Sequence, residues 1–119
     1  MASLATKIAA AATGNFTAGP VWLRQFAGFA DRARAIVINN TAGATPTVTV
    51  NIQGSVDGIT YFNIPYALVG SPSTFVVTAI TLTSTAQNVY LLQTGQPYNY
   101  IQVVFSANTN ETIDVWLYE

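Results

Sequence analysis

Residues 47–53 alternate without a break. Val48, Val50 and Ile52 stand against Thr47, Thr49, Asn51 and Gln53. A period of two fits a strand with one buried face and one wet face. Gly54-Ser55-Val56-Asp57-Gly58 follows, and Asp-Gly tolerates the positive φ that a tight reversal needs. Residues 59–64 then return through Ile59, Tyr61, Phe62 and Ile64, side chains that favour a pleated, half-buried surface. The stretch 47–64 reads as a β-hairpin, and the rest of the chain must be compatible with it.

The same reading extends in both directions. Residues 35–39, AIVIN, form a buried strand, and residues 40–46 with Gly43 and Pro46 form a loop. Pro65 ends the return strand, and residues 67–73 with Gly70 and Pro72 form another loop. Strands are expected over 75–83, 88–94, 100–106 and 111–119. Gly95-Gln96-Pro97 and Ala107-Asn108-Thr109-Asn110 are the turns between the last three. Ile101, Val103 and Phe105 share one face, as do Ile113, Val115 and Leu117. Seven or eight such strands with no helical pattern between them predict an all-β fold, an antiparallel β-sandwich or jelly roll in a single domain. Residues 1–20 are expected to form an extended N-terminal arm ahead of a β-sandwich domain over 21–119. Their alanines suit a helix, Leu4, Thr6 and Ile8 suit an edge strand, and a segment that orders against a neighbour is a third option.

Charge is the second constraint. Four basic and five acidic residues make up 8% of the 119 positions, against a usual share of about a quarter. A chain that gains so little solubility from charge reads either as a protein covered by partners or as one kept soluble by Thr and Asn. The charges are also segregated. Lys7, Arg24, Arg32 and Arg34 against Asp31 give residues 1–34 a net +3; Asp57, Glu111, Asp114 and Glu119 give the remainder −4. Such ends steer contacts between subunits, or pair within one. Four scattered bases are too few for a nucleic-acid footprint, and no apolar run is long enough to span a membrane as a helix. No nucleic-acid or membrane partner is therefore expected. The N-terminal stretch is expected to be mature chain rather than a signal peptide, since Lys7 interrupts its apolar run.

Little points to catalysis. There is no histidine and no cysteine, so the commonest general base and the commonest transition-metal ligands are missing. Glu111 and Asp114 are three apart on a strand and face opposite ways. Asp57 is accounted for by its turn; a calcium site with Asn51 or Ser55 would compete with that role. An acid pair of Asp57 with Glu111 would need the fold to bring distant segments together. No catalytic residue, cofactor or metal is expected. The candidate interface residues are Lys7, Trp22, Arg24, Phe26, Arg32, Arg34, Trp116 and Tyr118, since Trp, Tyr and Arg dominate interface centres. Trp116 and Tyr118 share the Asp114 face, which is exposed if the Ile113 face is core and covered if both faces are packed. These aromatics with Tyr61 would also suit stacking on sugar rings.

The order of segments carries a resemblance. Residues 35–40, AIVINN, are followed by TVTVNIQGSVDG over 47–58 and by Tyr61-Phe62. YNYIQVVF follows over 98–105, and IDVWLY closes the chain over 113–118. This pattern over residues 35–119 resembles small β-rich virion proteins of tailed bacteriophages, many of them capsid decoration (cement) proteins. The resemblance implies a capsid-surface protein that binds the major capsid protein and self-associates as a homo-oligomer, for example a trimer. Tail or head-fibre modules that bind a carbohydrate or a receptor are the alternative.

Overall fold

A computed structural model describes residues 5–22, 35–83, 86–93 and 99–118. Its frame is a pair of long strands. β3 (Ala35–Ser55) has 21 residues and β8 (Tyr100–Tyr118) has 19. They run antiparallel from Ala35 opposite Tyr118 to Ser55 opposite Tyr100. The register shifts between Ala42 and Thr47 and again between Thr47 and Thr49, where the ribbon bends. Thr45 on one strand and Ala107 and Asn110 on the other adopt positive φ there.

Each half of the ribbon recruits its own neighbours. The first half takes β1 (Ala5–Ala12) on β8 and β7 (Gln87–Leu92) on β3, and β5 (Tyr66–Leu68) then adds to β7. The second half takes β2 (Phe16–Trp22) on β8, with β4 (Phe62–Asn63) and β6 (Ile80–Leu82) on β3. Every pairing is antiparallel, and the eight strands form one sheet. The sheet curls so that its two halves enclose a single core. The fold is all-β, antiparallel and a single domain, as the alternation implies. A Cα radius of gyration of 13.6 Å matches the roughly 13 Å of a compact domain this size.

The details differ from the linear reading where backbone pairing prevails over local turn chemistry. Residues 40–46 and 107–110 are bends inside continuous strands, because β3 and β8 satisfy one another's backbone groups on both sides of the bend. The return arm of the hairpin shrinks to β4, because residues 56–60 form the turn. The strand expected over 75–83 is reduced to β6 and one bridge from Val76 to Tyr66, and residues 66–68, at the edge of the expected loop, pair with β7. The N-terminal segment is a strand, β1, on the outer side of β8.

The core follows the two-residue period. Ile36 and Ile38, then Val48, Val50 and Ile52, point inward from β3; Ile101, Val103 and Phe105, then Ile113, Val115 and Leu117, point inward from β8. Phe105 is fully buried and stacks on Phe16 with ring centroids 4.5 Å apart and 13° between planes. Tyr66 meets Tyr90 edge to face at 5.5 Å. These contacts join β2 to the ribbon and β5 to β7.

The bend is held by Asn108. Its carbonyl oxygen accepts from the Glu111 backbone N–H at 3.0 Å, and its amide donates to the carbonyls of Gly14 and Glu111 at 2.9 and 3.2 Å. Its own N–H donates to the Asn15 side chain at 3.1 Å. One side chain thus closes the bend and ties it to the β1–β2 turn. Beside it, Glu111 points into the core and is only 2% exposed. Neither carboxyl oxygen has a hydrogen-bond partner among the described residues, and neither has the buried Asn40 amide on the adjoining strand. Burial pushes the Glu111 carboxyl above the usual carboxylate range. The nearby Asn40 amide acts the other way without closing a hydrogen bond of good geometry on it.

Two outcomes follow for stability. Phe105→Ala removes the central ring and leaves a cavity, which costs about 3–5 kcal/mol in urea unfolding. Glu111 keeps its proton to a higher pH folded than unfolded, so the folded state binds more protons across that window. Stability therefore falls as pH rises through it, by at most about 1.4 kcal/mol per pH unit, and is flat above it. Glu111→Gln should remove this slope and leave the variant more stable than wild type at pH 8, read as unfolding midpoints measured from pH 4 to 8.

Candidate functional site

The surface, rather than a cleft, holds the groups that can recognise something. On the outer face of the first half of the sheet, Lys7 of β1 lies opposite Trp116 of β8. Its ammonium sits 5.3 Å from the indole centroid and 3.6 Å from Asp114 Oδ1. The same Asp114 oxygen accepts from the Ala11 N–H at 2.7 Å, which fixes the carboxylate over the β1 bulge. Lys7 is thus matched within its own subunit, one of the two outcomes that the charge segregation allowed. Trp116 and Tyr118 are half-buried. Val37, between Trp116 and Val89 on that face, is buried, so this face is partly covered.

Trp22 lies elsewhere. It ends β2 opposite Tyr100, at the other end of β8, and is 48% exposed. The structure therefore brings Lys7, Trp116 and Tyr118 together and leaves Trp22 apart from them. Arg24, Phe26, Arg32 and Arg34 lie outside the described residues.

Next to Trp22 the outer face of the second half carries a row of amides. The Gln102 side chain donates to Gln53 Oε1 at 2.8 Å, Gln53 donates to Asn63 Oδ1 at 3.1 Å, and Asn63 donates to Asn51 Oδ1 at 3.4 Å. The row crosses β8, β3 and β4 because Gln53 is opposite both Gln102 and Asn63. The turn beyond it is built by Asp57, whose Oδ1 accepts from the Ser55 hydroxyl and from the N–H groups of Ile59 and Thr60 at 3.0, 2.8 and 3.0 Å. Those three donors, Thr60 first, hold the Asp57 carboxyl below the usual carboxylate range. The Tyr100 ring lies against Gly58, where a Cβ would come within 3.0 Å of it.

A third surface is apolar. β5 ends the sheet on one side. The bridge between Tyr66 and Val76, made by reciprocal backbone hydrogen bonds of 3.0 and 2.9 Å, brings Leu68, Val69, Val76 and Val77 to that edge. All four are exposed. Ile59, at the hairpin tip, is 83% exposed. From Gly58 to Asn110 the chain contains no Asp, Glu, Lys or Arg, so no charge from that stretch guards this edge.

Asp57, Glu111 and Asp114 do not converge. Asp57 is at the hairpin tip and Glu111 at the bend, with the second half of β3 between them. Asp114 points to the opposite side from Glu111. Among the described residues no three acids come close enough to hold a metal ion. Burial, with a smaller contribution from Tyr66, pushes the Tyr90 hydroxyl up to about 12.

Apart from Asn51, weighed above as a calcium ligand, the residues of the amide row and the apolar edge were not singled out from the sequence. Gln53, Gln102 and Asn51 were legible as the wet side of their strands, but not their register against one another. Leu68, Val69, Val76 and Val77 looked like loop or core, because a local pattern does not say which strand is last in a sheet.

No protein-family model matches the chain, and no curated protein matches it. Among solved structures, the fold is similar to the crystal structure of the SPBc2 prophage-derived protein YomS. The TM-score is 0.63 at 8% sequence identity, over 99% of this chain and 94% of that one. At that identity the likeness is one of fold alone.

Proposed function

We propose that this chain is a structural protein of a tailed-phage virion, of the capsid decoration type, which works by binding rather than by catalysis. The observation that carries the reading is the open apolar edge on a body so poor in charge. Contiguous exposed aliphatic groups mark interaction surfaces, and a specific interface buries on the order of 1,600 Å² in total. Leu68, Val69, Val76 and Val77 would seed such an interface, with the major capsid protein or a sister subunit opposite them. The shared fold with a prophage-derived protein and the pattern over residues 35–119 favour the same setting, the capsid surface. A homo-oligomer repeated over the shell would multiply weak contacts into stable attachment. The basic N-terminal third remains the best candidate for a second contact to a neighbour, through Arg24, Arg32 and Arg34 rather than through Lys7, which Asp114 already engages.

The test is made on purified phage particles of the source genome. The protein should be present at a fixed copy number per major capsid protein, measured by quantitative mass spectrometry. The double variant Val69→Asp, Val77→Asp changes exposed positions, so its stability should stay within about 1 kcal/mol of wild type. Its occupancy on particles lacking the native protein should fall about tenfold or more, the equivalent of about 1.4 kcal/mol or more of lost contact. Absence from washed virions would sink the reading. Deleting residues 2–14 is the poorer test, because it strips β1 from the sheet along with any contact the segment makes.

A further inference from the structure

We propose that the outer face of the second half of the sheet is a binding site for a neutral saccharide, formed by Trp22, Tyr100, Gln102, Gln53, Asn63 and Asn51. The inference goes beyond the virion role and does not depend on it.

Three features of the face select that ligand class. Its amides are already ordered. Gln102, Gln53, Asn63 and Asn51 form one hydrogen-bonded line across three strands, so little rotamer freedom remains to be lost on binding. The row itself uses one N–H and one lone pair of Gln53 and of Asn63, whereas a side-chain amide has two of each. A sugar hydroxyl is both donor and acceptor and matches such a group, while a phosphate or carboxylate could use only its N–H side.

The second feature is aromatic. Trp22 and Tyr100 are cross-strand partners at one end of the row, and Tyr100 is seated on Gly58. An indole that is 48% exposed beside a supported phenol offers a platform for the C–H face of a pyranose ring. Aromatic surface beside ordered amides is what a ring with an apolar face and a hydroxyl rim requires.

The third feature is what the face lacks. Asn51, Gln53, Asn63 and Gln102 continue into Thr49, Val104 and Ser106 on the same side, and none of these is ionisable. Asp57, the charged residue nearest the row among the described residues, directs one oxygen into its own turn. The described side chains of this face carry no charge, which favours an uncharged ligand over an acidic sugar or a charged peptide.

The experiment is an NMR titration of the purified full chain with maltotriose, cellotriose and chitotriose, with trigalacturonate as the acidic control. At least one neutral trisaccharide should shift the side-chain amide signals of Gln53, Asn63 and Gln102 with a Kd of about 0.1–1 mM, and trigalacturonate should not. Trp22→Ala and Gln102→Ala, both at positions outside the core, should each weaken that binding about tenfold with an unchanged unfolding midpoint. No saturable shift from any neutral trisaccharide up to about 10 mM, or binding that neither variant alters, overturns the proposal. Particle attachment plays no part in the titration, so the virion reading and this one can fail separately.

Discussion

The antiparallel pairing of β3 with β8 is the constraint on which the other strands depend. It is the one contact that runs through both halves of the molecule, from Ala35 opposite Tyr118 to Ser55 opposite Tyr100. Neither half could bury its inner face alone. A flat ribbon would leave Ile36, Ile38, Val115 and Leu117 facing water on one stretch, and Val50, Ile52, Val103 and Phe105 on the other. Bending it folds those rows onto each other, and every strand added afterwards extends one half or the other. The two-residue period is preserved on each side of the bend, so the shift in register at 42–49 must keep apolar residues inward on both sides.

The bend concentrates the molecule's unfavourable local features. Positive φ at Thr45, Ala107 and Asn110 opposes the steric preference of residues with a side chain, and a buried carboxyl without a partner opposes its solvation. Asn108 offsets part of that by making four hydrogen bonds within and around the turn. Burial shifts Glu111 toward its neutral form, which lowers that cost. A neutral carboxylic acid beside an amide is far less expensive to bury than a carboxylate. The corner is therefore tied to the β1–β2 turn through Asn108 and to solution pH through Glu111.

How much of this was legible depends on whether a feature is local. The alternation in 47–53, 101–105 and 113–117 identified the inward rows, and those rows are the core. Asp57 was read as a turn residue, and it organises the turn with three bonds to a single oxygen. What stayed hidden was pairing at long range. Asn40 to Pro46 and Ala107 to Asn110 contain the residues of ordinary loops, and only the opposite strand keeps them extended. Lys7 gave no sign in the sequence that Asp114 and Trp116 would surround it, because that contact joins the two ends of the chain. The amide row is hidden for the same reason: its members come from three strands and are adjacent only in register.

The two faces of the sheet use polarity differently, and this bears on what the protein does. On the first half the outer face spends its charge internally, with Lys7, Asp114 and Trp116 closed on one another. On the second half the outer face keeps uncharged groups in hydrogen-bonded order, beside a Trp22 that nothing described covers fully. Among the described residues the β5 edge carries no charge, and its exposed Leu68, Val69, Val76 and Val77 stand beside small hydroxyl side chains. Water is a poor substitute for a partner at such an edge, and natural sheets usually guard an edge with a charge, a bulge or a cover. An edge covered by little more than the bridge to Val76, with low charge around it, is stable against aggregation when a specific surface occupies it. The physical features therefore divide the labour: the apolar edge suits permanent association, and the amide face suits reversible recognition. A protein assembled on a particle would need both kinds of surface to point away from each other, and the curled sheet, with its edge in one half and its amide row in the other, provides two separate places for them.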